Sequence, residues 1–139
     1  MRSAMCEDVL ADGRYAILIV DDEPFLRDLL AEALSEYRVT VAGDGHTALQ
    51  LIERNAFRVV ITDLMMPEIT GFDVLRAARS KSDRVQVLVM TGYPSEDNKR
   101  RCRSLGCFDV VSKPFDVFEV RSRVRHCLAD DPAGPAGGR

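Results

Sequence analysis

The sequence predicts an α/β fold: a doubly wound (βα)5 unit whose five-stranded parallel sheet has the order 2-1-3-4-5, with helices on both faces. Short, nearly continuous apolar runs alternate with segments of helical period, the pattern of parallel strands buried on both sides. Right-handed crossovers leave few arrangements for such a chain, and this order sets strands 1 and 3 side by side where the winding reverses. Four of the runs also close on reactive groups: Asp21-Asp22-Glu23, Thr62-Asp63, Thr91-Gly92 and Lys113-Pro114.

The first strand is Tyr15-Ala16-Ile17-Leu18-Ile19-Val20. Pro24 suits a first helical turn, where its missing N–H costs nothing. Residues 25–36 then place Leu26, Leu29, Leu30, Ala33 and Leu34 on one helical stripe. Arg38-Val39-Thr40-Val41-Ala42 alternates as a short strand, and Asp44 caps a helix running from Gly45 to about Arg54, with Ala48, Leu51 and Ile52 inward. Val59-Val60-Ile61 is the third strand, and residues 71–80 form a helix with Val74, Leu75 and Ala78 on one face. Val85-Gln86-Val87-Leu88-Val89-Met90 is the fourth strand. Ser95 caps the fourth helix, which Gly106 ends. That helix contains Asn98-Lys99-Arg100-Arg101-Cys102-Arg103 and offers little apolar surface beyond Cys102 and Leu105. It is expected to be loosely held, a moving part between the Thr91 and Lys113 loops. Val110-Val111-Ser112 is the fifth strand. Asp116 caps the last helix, with Val117, Val120, Val124 and either Cys127 or Leu128 inward.

A chain of 139 residues has room for one core, expected over residues 15–129 between a flexible segment, 1–14, and a disordered Pro/Gly tail, 130–139. The net charge of −3 lacks the basic excess of a nucleic-acid binder. No run is long enough to span a membrane, and Glu7, Asp8 and Asp12 make residues 1–13 unlike a secretory signal. The expectation is a cytoplasmic protein with no direct nucleic-acid or membrane partner. Cys6, Cys102, Cys107 and Cys127 fit no zinc spacing and read as reduced, mostly buried thiols.

If the strand ends share one edge, Asp21, Asp22 and Asp63 come close together. Like charges at that range raise one another's pKa unless a cation intervenes. A hard, oxygen-seeking ion resolves this. Mg2+ suits the site, with Mn2+ as a substitute and the Met65 backbone carbonyl as a further ligand. Asp63, kept ionised, is then placed to attack phosphorus in line. Thr91 offers its hydroxyl to a phosphoryl oxygen, Gly92 its unobstructed N–H, and Lys113 pairs with a phosphoryl oxygen or with Asp63 beforehand.

Taken together, Val20-Asp21-Asp22-Glu23-Pro24, Thr62-Asp63-Leu64-Met65-Met66-Pro67 with Gly71, Met90-Thr91-Gly92 and Lys113-Pro114-Phe115 resemble the receiver domain of two-component response regulators, of the single-domain chemotaxis-regulator kind. The resemblance covers roughly residues 15–128 and implies a flavodoxin-like fold. It implies that Asp63 takes a phosphoryl group from a phosphohistidine on a histidine kinase or phosphotransfer protein. The protein would catalyse only its own phosphorylation and dephosphorylation. Mg2+ would be bound by Asp22, Asp63 and the Met65 carbonyl, with Asp21 acting through water, and the Lys113-Pro114 peptide would be cis. The family's usual contact face, helix 4, strand 5 and helix 5, would carry Lys99, Arg100, Arg103, Arg121 and Arg125. That basic face favours an acidic downstream partner or a homodimer. No output domain fits after Leu128, so the readout would be a partner protein, a homodimer or another relay step, unless the chain is the receiver part of a longer protein.

Two departures stand out. Val110 occupies the place of an aromatic that often swings inward, and a valine has no ring to swing. Met65 and Tyr93 occupy the positions that tune hydrolysis of the acyl phosphate, and Met65 cannot orient a water by hydrogen bonding. The rival readings are a receiver that docks without phosphorylation, a haloacid dehalogenase-like phosphatase and a flavodoxin-like cofactor carrier. The phosphatase needs Asp-x-Asp where this chain has Asp21-Asp22. The carrier needs a Ser/Thr-rich phosphate loop where this chain places acids.

Overall fold

The computed structural model describes residues 13–129. In chain order the elements are β1 (Ala16–Val20), α1 (Pro24–Ala33), β2 (Arg38–Ala42), α2 (Gly45–Arg54), β3 (Val59–Asp63), α3 (Gly71–Lys81), β4 (Gln86–Thr91), α4 (Glu96–Ser104), β5 (Asp109–Ser112) and α5 (Val117–Ala129). All the strand pairs are parallel, in the order β2-β1-β3-β4-β5. Of the segments expected to be flexible, 1–14 and 130–139, all but Gly13 and Arg14 lie outside the described residues.

Side-chain alternation along the strands divides the core in two. Leu18, Val20, Val60, Val87 and Val89 meet Ala48 and Ile52 of α2, Val74, Leu75 and Ala78 of α3, and Cys102 of α4. On the other face Ile17, Ile19, Val59, Ile61, Leu88, Met90 and Val111 meet Leu30 and Leu34 beside α1 and Val120, Val124 and Cys127 of α5. Cys127 is the buried member of the α5 pair, and Leu128 packs only partly. Each fully buried leucine or isoleucine contributes on the order of 2 kcal/mol.

The caps are local chemistry. Asp44 Oδ1 accepts from the Thr47 N–H at 2.7 Å, Ser95 Oγ from the Asn98 N–H at 3.1 Å, and Asp116 Oδ1 from the Phe118 N–H at 2.8 Å. A reciprocal capping box of Thr70 and Asp73 opens α3. Gly106, at φ 94°, ends α4, and the Cys107 N–H reaches back to the Cys102 carbonyl at 3.0 Å.

Two expectations change. The first helix stops at Ala33 rather than running to residue 36: Leu34 is drawn fully into the core, and the Tyr37 N–H closes a turn on its carbonyl at 2.9 Å. Leu26 and Leu29 are only half-buried and line a cleft of about 340 Å³ with Glu23, Lys113, Pro114 and Phe115. The basic α4 buries one residue, Cys102, as its composition implied. A second hold was not foreseen: the Arg101 guanidinium lies 4.1 Å from the centre of the Phe72 ring.

Candidate functional site

The site lies along the carboxyl edge of the sheet. Asp21 follows β1 and is fully buried. Its N–H extends the ladder to the Ala42 carbonyl at 3.1 Å, and its Oδ1 accepts the Glu23 N–H at 2.9 Å. That turn points Asp21 inward and leaves Asp22 exposed. Asp63 ends β3 and is buried. Behind it the chain passes so close that a Cβ on Gly71 would sit 2.5 Å from the Asp63 carbonyl oxygen, so only glycine fits. Oxygens of Asp21, Asp22 and Asp63 all lie within 4.8 Å of one another.

Lys113 enters from the end of β5, where its N–H donates to the Thr91 carbonyl at 2.8 Å. Its Nζ is 3.0 Å from Asp21 Oδ2, 3.2 Å from Asp63 Oδ2 and 3.4 Å from Glu23 Oε1. The Lys113-Pro114 peptide is cis. Thr91 closes β4, fully buried, and its Oγ1 accepts the Tyr93 N–H at 2.9 Å. That bond uses a lone pair and leaves the hydroxyl proton available to another acceptor. Gly92 is exposed, with open space where a side chain would be. Met65 lies two residues past Asp63. Its N–H lies near enough to the Asp63 carboxylate to favour the ionised form, and its side chain is exposed.

Burial pushes the Asp63 carboxyl above its usual range. The Lys113 charge works against that shift and the Asp21 charge adds to it. Burial also penalises the Lys113 ammonium, but its bonds to Asp21 and the charge of Asp63 more than offset this and hold it above its usual value. One ammonium among three clustered carboxylates leaves the site negative. The donors are all hard oxygens, so the residues present fit a Mg2+-sized cation.

A family model described as the response regulator receiver domain matches residues 17–125. The chain belongs to the response regulator receiver domain family.

The probable transcriptional regulatory protein TcrX of Mycobacterium tuberculosis is 36% identical to this receiver domain over 121 residues, 85% of this chain and 52% of TcrX. The sensory transduction protein RegX3 of Mycolicibacterium smegmatis is 38% identical over 129 residues, 88% of this chain and 56% of RegX3. The receiver domain thus spans about half the length of these curated relatives. Among solved structures, the chemotaxis protein CheY4 of Vibrio cholerae superimposes with a TM-score of 0.77 at 28% identity, over 83% of this chain and 99% of that one. The receiver domain of a Francisella response regulator gives 0.74 at 30% identity, over 81% and 94%. The domain is a signalling module of two-component systems with the flavodoxin-like architecture, and no helix among its described residues is long and apolar enough to cross a membrane.

The expected basic face does not hold together as one surface. Lys99 and Arg103 line a cleft with Cys107, Phe108, Asp109 and Val110, and Arg100 is exposed on α4. Arg121 instead bonds Glu36 at 2.8 Å, and both Arg121 and Arg125 lie close enough to Tyr37 to act on its hydroxyl. Positions 121 and 125 share a helical face turned to the α1–β2 corner. The α5 arginine that meets β5 is Arg123, 2.7 Å from Asp109. Three other contacts were not named from the sequence: Lys113 with Asp21, Lys113 with Glu23, and the Arg27 Nη1 bond to the Asp21 carbonyl at 2.8 Å.

Proposed function

We propose that the protein is a phosphoacceptor: Asp63 takes a phosphoryl group from a phosphohistidine on a histidine kinase or phosphotransfer protein, and a partner protein reads the change. The observation that carries this reading is the three-carboxylate cluster with Lys113 bridging Asp21 and Asp63. Asp21, Asp22, Asp63 and the Met65 carbonyl are the groups we assign to Mg2+. When bound, it supplies neutralisation of the carboxylates and of the phosphoryl oxygens.

An Asp63 carboxylate oxygen forms the bond to phosphorus as the P–N bond to the donor imidazole breaks and that nitrogen keeps the electron pair. Lys113 stays anchored by Asp21 while its bond to Asp63 is exchanged for one to a phosphoryl oxygen. The Thr91 hydroxyl donates to a second phosphoryl oxygen, and the Gly92 N–H is open to a third. Self-catalysed transfer and later hydrolysis are the protein's only reactions in this reading.

A macromolecular donor suits the surroundings. Phe25, Met65, Tyr93 and Phe118 are exposed apolar side chains near the carboxyl edge of the sheet, a rim for a protein surface to cover. For output, Lys99, Arg100 and Arg103 of α4 beside β5 form the basic surface we assign to an acidic partner or a second copy. The thiols of Cys102 and Cys107, not bridged to each other, suit a reducing, cytoplasmic location.

The test is intact mass after incubation with acetyl phosphate and Mg2+, beside an Asp63→Asn control. A single phosphate adduct that needs Mg2+ and is absent from the control is the expected result. No adduct from acetyl phosphate or from a phosphohistidine protein, with the protein folded, would leave a receiver that works by docking alone.

A further inference from the structure

We propose that Arg27 is a positioning residue of the cation site, and that Gly43 is the glycine that makes room for it. The inference rests on the reading that Asp21 and Asp22 hold a divalent cation. Arg27 is half-buried on α1, and its Nη1 donates to the Asp21 carbonyl at 2.8 Å. The rest of Asp21 is already committed: its N–H to Ala42, Oδ1 to the Glu23 N–H, and Oδ2 to Lys113. Arg27 therefore completes the fixing of the residue from which the acidic loop departs.

The guanidinium also covers the next loop. A Cβ on Gly43 would lie 2.9 Å from Arg27 Nη1, 3.3 Å from its Cζ and 3.6 Å from its Nη2. Arg27 thus spans the turns after β1 and β2, gripping one by a hydrogen bond and lying on the bare backbone of the other. Lys113 neutralises the carboxylates by bonding their oxygens, so it competes with a cation for them. Arg27 brings its charge in on the backbone side and leaves those oxygens open. Groups that orient metal ligands without touching the metal commonly change affinity by a large factor.

This geometry makes an unusual coupling. Gly43 does not sit in the left-handed region, so alanine fits its backbone. What alanine would meet is the far end of a flexible side chain, which can swing away without unfolding the protein. Gly43→Ala should therefore act as a remote deletion of the Arg27 contact.

The experiment is calorimetric titration of Mg2+ into the parent, Arg27→Ala, Arg27→Lys, Gly43→Ala and the double Ala variant, with thermal unfolding and amide exchange at Glu23 on each. We expect Arg27→Ala and Gly43→Ala each to weaken Mg2+ binding on the order of tenfold and to speed Glu23 exchange. Gly43→Ala should keep the parent's unfolding temperature, Arg27→Lys should restore part of the affinity, and the double variant should be no weaker than either single one. Parent-like affinity in Gly43→Ala, or losses that multiply in the double variant, would overturn the role of Arg27 alone. A folded parent that takes up no Mg2+ would overturn the proposed function, and this role with it.

Discussion

The ammonium of Lys113 is nearer to Asp21 than to Asp63: 3.0 Å against 3.2 Å. Asp21 is the more deeply buried of the two acids and makes the charge-assisted bond that anchors the lysine. Asp63 shares that cation without owning it.

Opposite stability effects follow for the metal-free protein. Asp63 has its carboxyl pKa raised on folding, so its charged form is the less favoured one in the native state. Asp63→Asn removes that charge while Lys113 keeps Asp21, and should stabilise the protein on the order of 1 kcal/mol at neutral pH. The gain should fade as pH falls through the raised pKa, because folded Asp63 then takes up a proton and is itself neutral. Lys113→Ala leaves the buried carboxylates without their ammonium and should cost about 2 kcal/mol, discounted for the partial exposure of Lys113. Urea unfolding of both variants between pH 4 and pH 8 checks the signs. A destabilised Asp63→Asn would contradict this account.

Gly71→Ala tests the strand end from behind. A Cβ there would press to 2.5 Å from the Asp63 carbonyl oxygen and 2.7 Å from the Leu64 Cα, and neither backbone atom can swing aside. The cost should be about 3 kcal/mol, with Mg2+ binding lost alongside. Gly43→Ala, which meets only a side chain, is the contrast within the same denaturation series.

The phosphoryl group, once on Asp63, should be long-lived. Met65 and Tyr93 are both largely exposed at the rim, and the Met65 thioether cannot orient an attacking water. Met65→Asn should shorten the lifetime on the order of tenfold, by supplying a group that positions water. The decay of the phosphoprotein mass with time gives the number. Equal lifetimes would locate the control of hydrolysis elsewhere.

The thiols should resist reagents in the folded state. Burial pushes Cys107 up to about 12, with the neighbouring Cys102 adding to the shift, and burial also raises Cys102. At pH 8 a thiol at that value is a thiolate about one part in ten thousand of the time. Peptide mapping after timed labelling should show Cys102 and Cys107 modified far more slowly in native protein than in urea.

The fold was legible because strand and helix periods are written locally: the runs ending at Val20 and Ser112 and the caps at Asp44, Ser95 and Asp116 lie where the pattern put them, and β4 is displaced by one residue to Gln86–Thr91. Topology then brought Asp21, Asp22, Asp63 and Lys113 together, since parallel strands share one carboxyl edge. What escaped was direction around a helix and reach across loops. The resemblance groups Arg121 and Arg125 with α4 on the family's usual contact face, but the helical turn carries them to Glu36 and Tyr37 and gives β5 Arg123 instead. Nothing in the first helix's pattern marks Arg27, and only the three-dimensional path of the β2–α2 loop shows its place over Gly43.

Asp21 and Lys113 stand 92 residues apart and meet at the carboxyl edge of a sheet in which β5 is an edge strand. A chain still emerging from the ribosome, or one whose last strand has peeled away, carries the acids without their counter-charge. In the proposed phosphotransfer, competence therefore waits on the docking of β5.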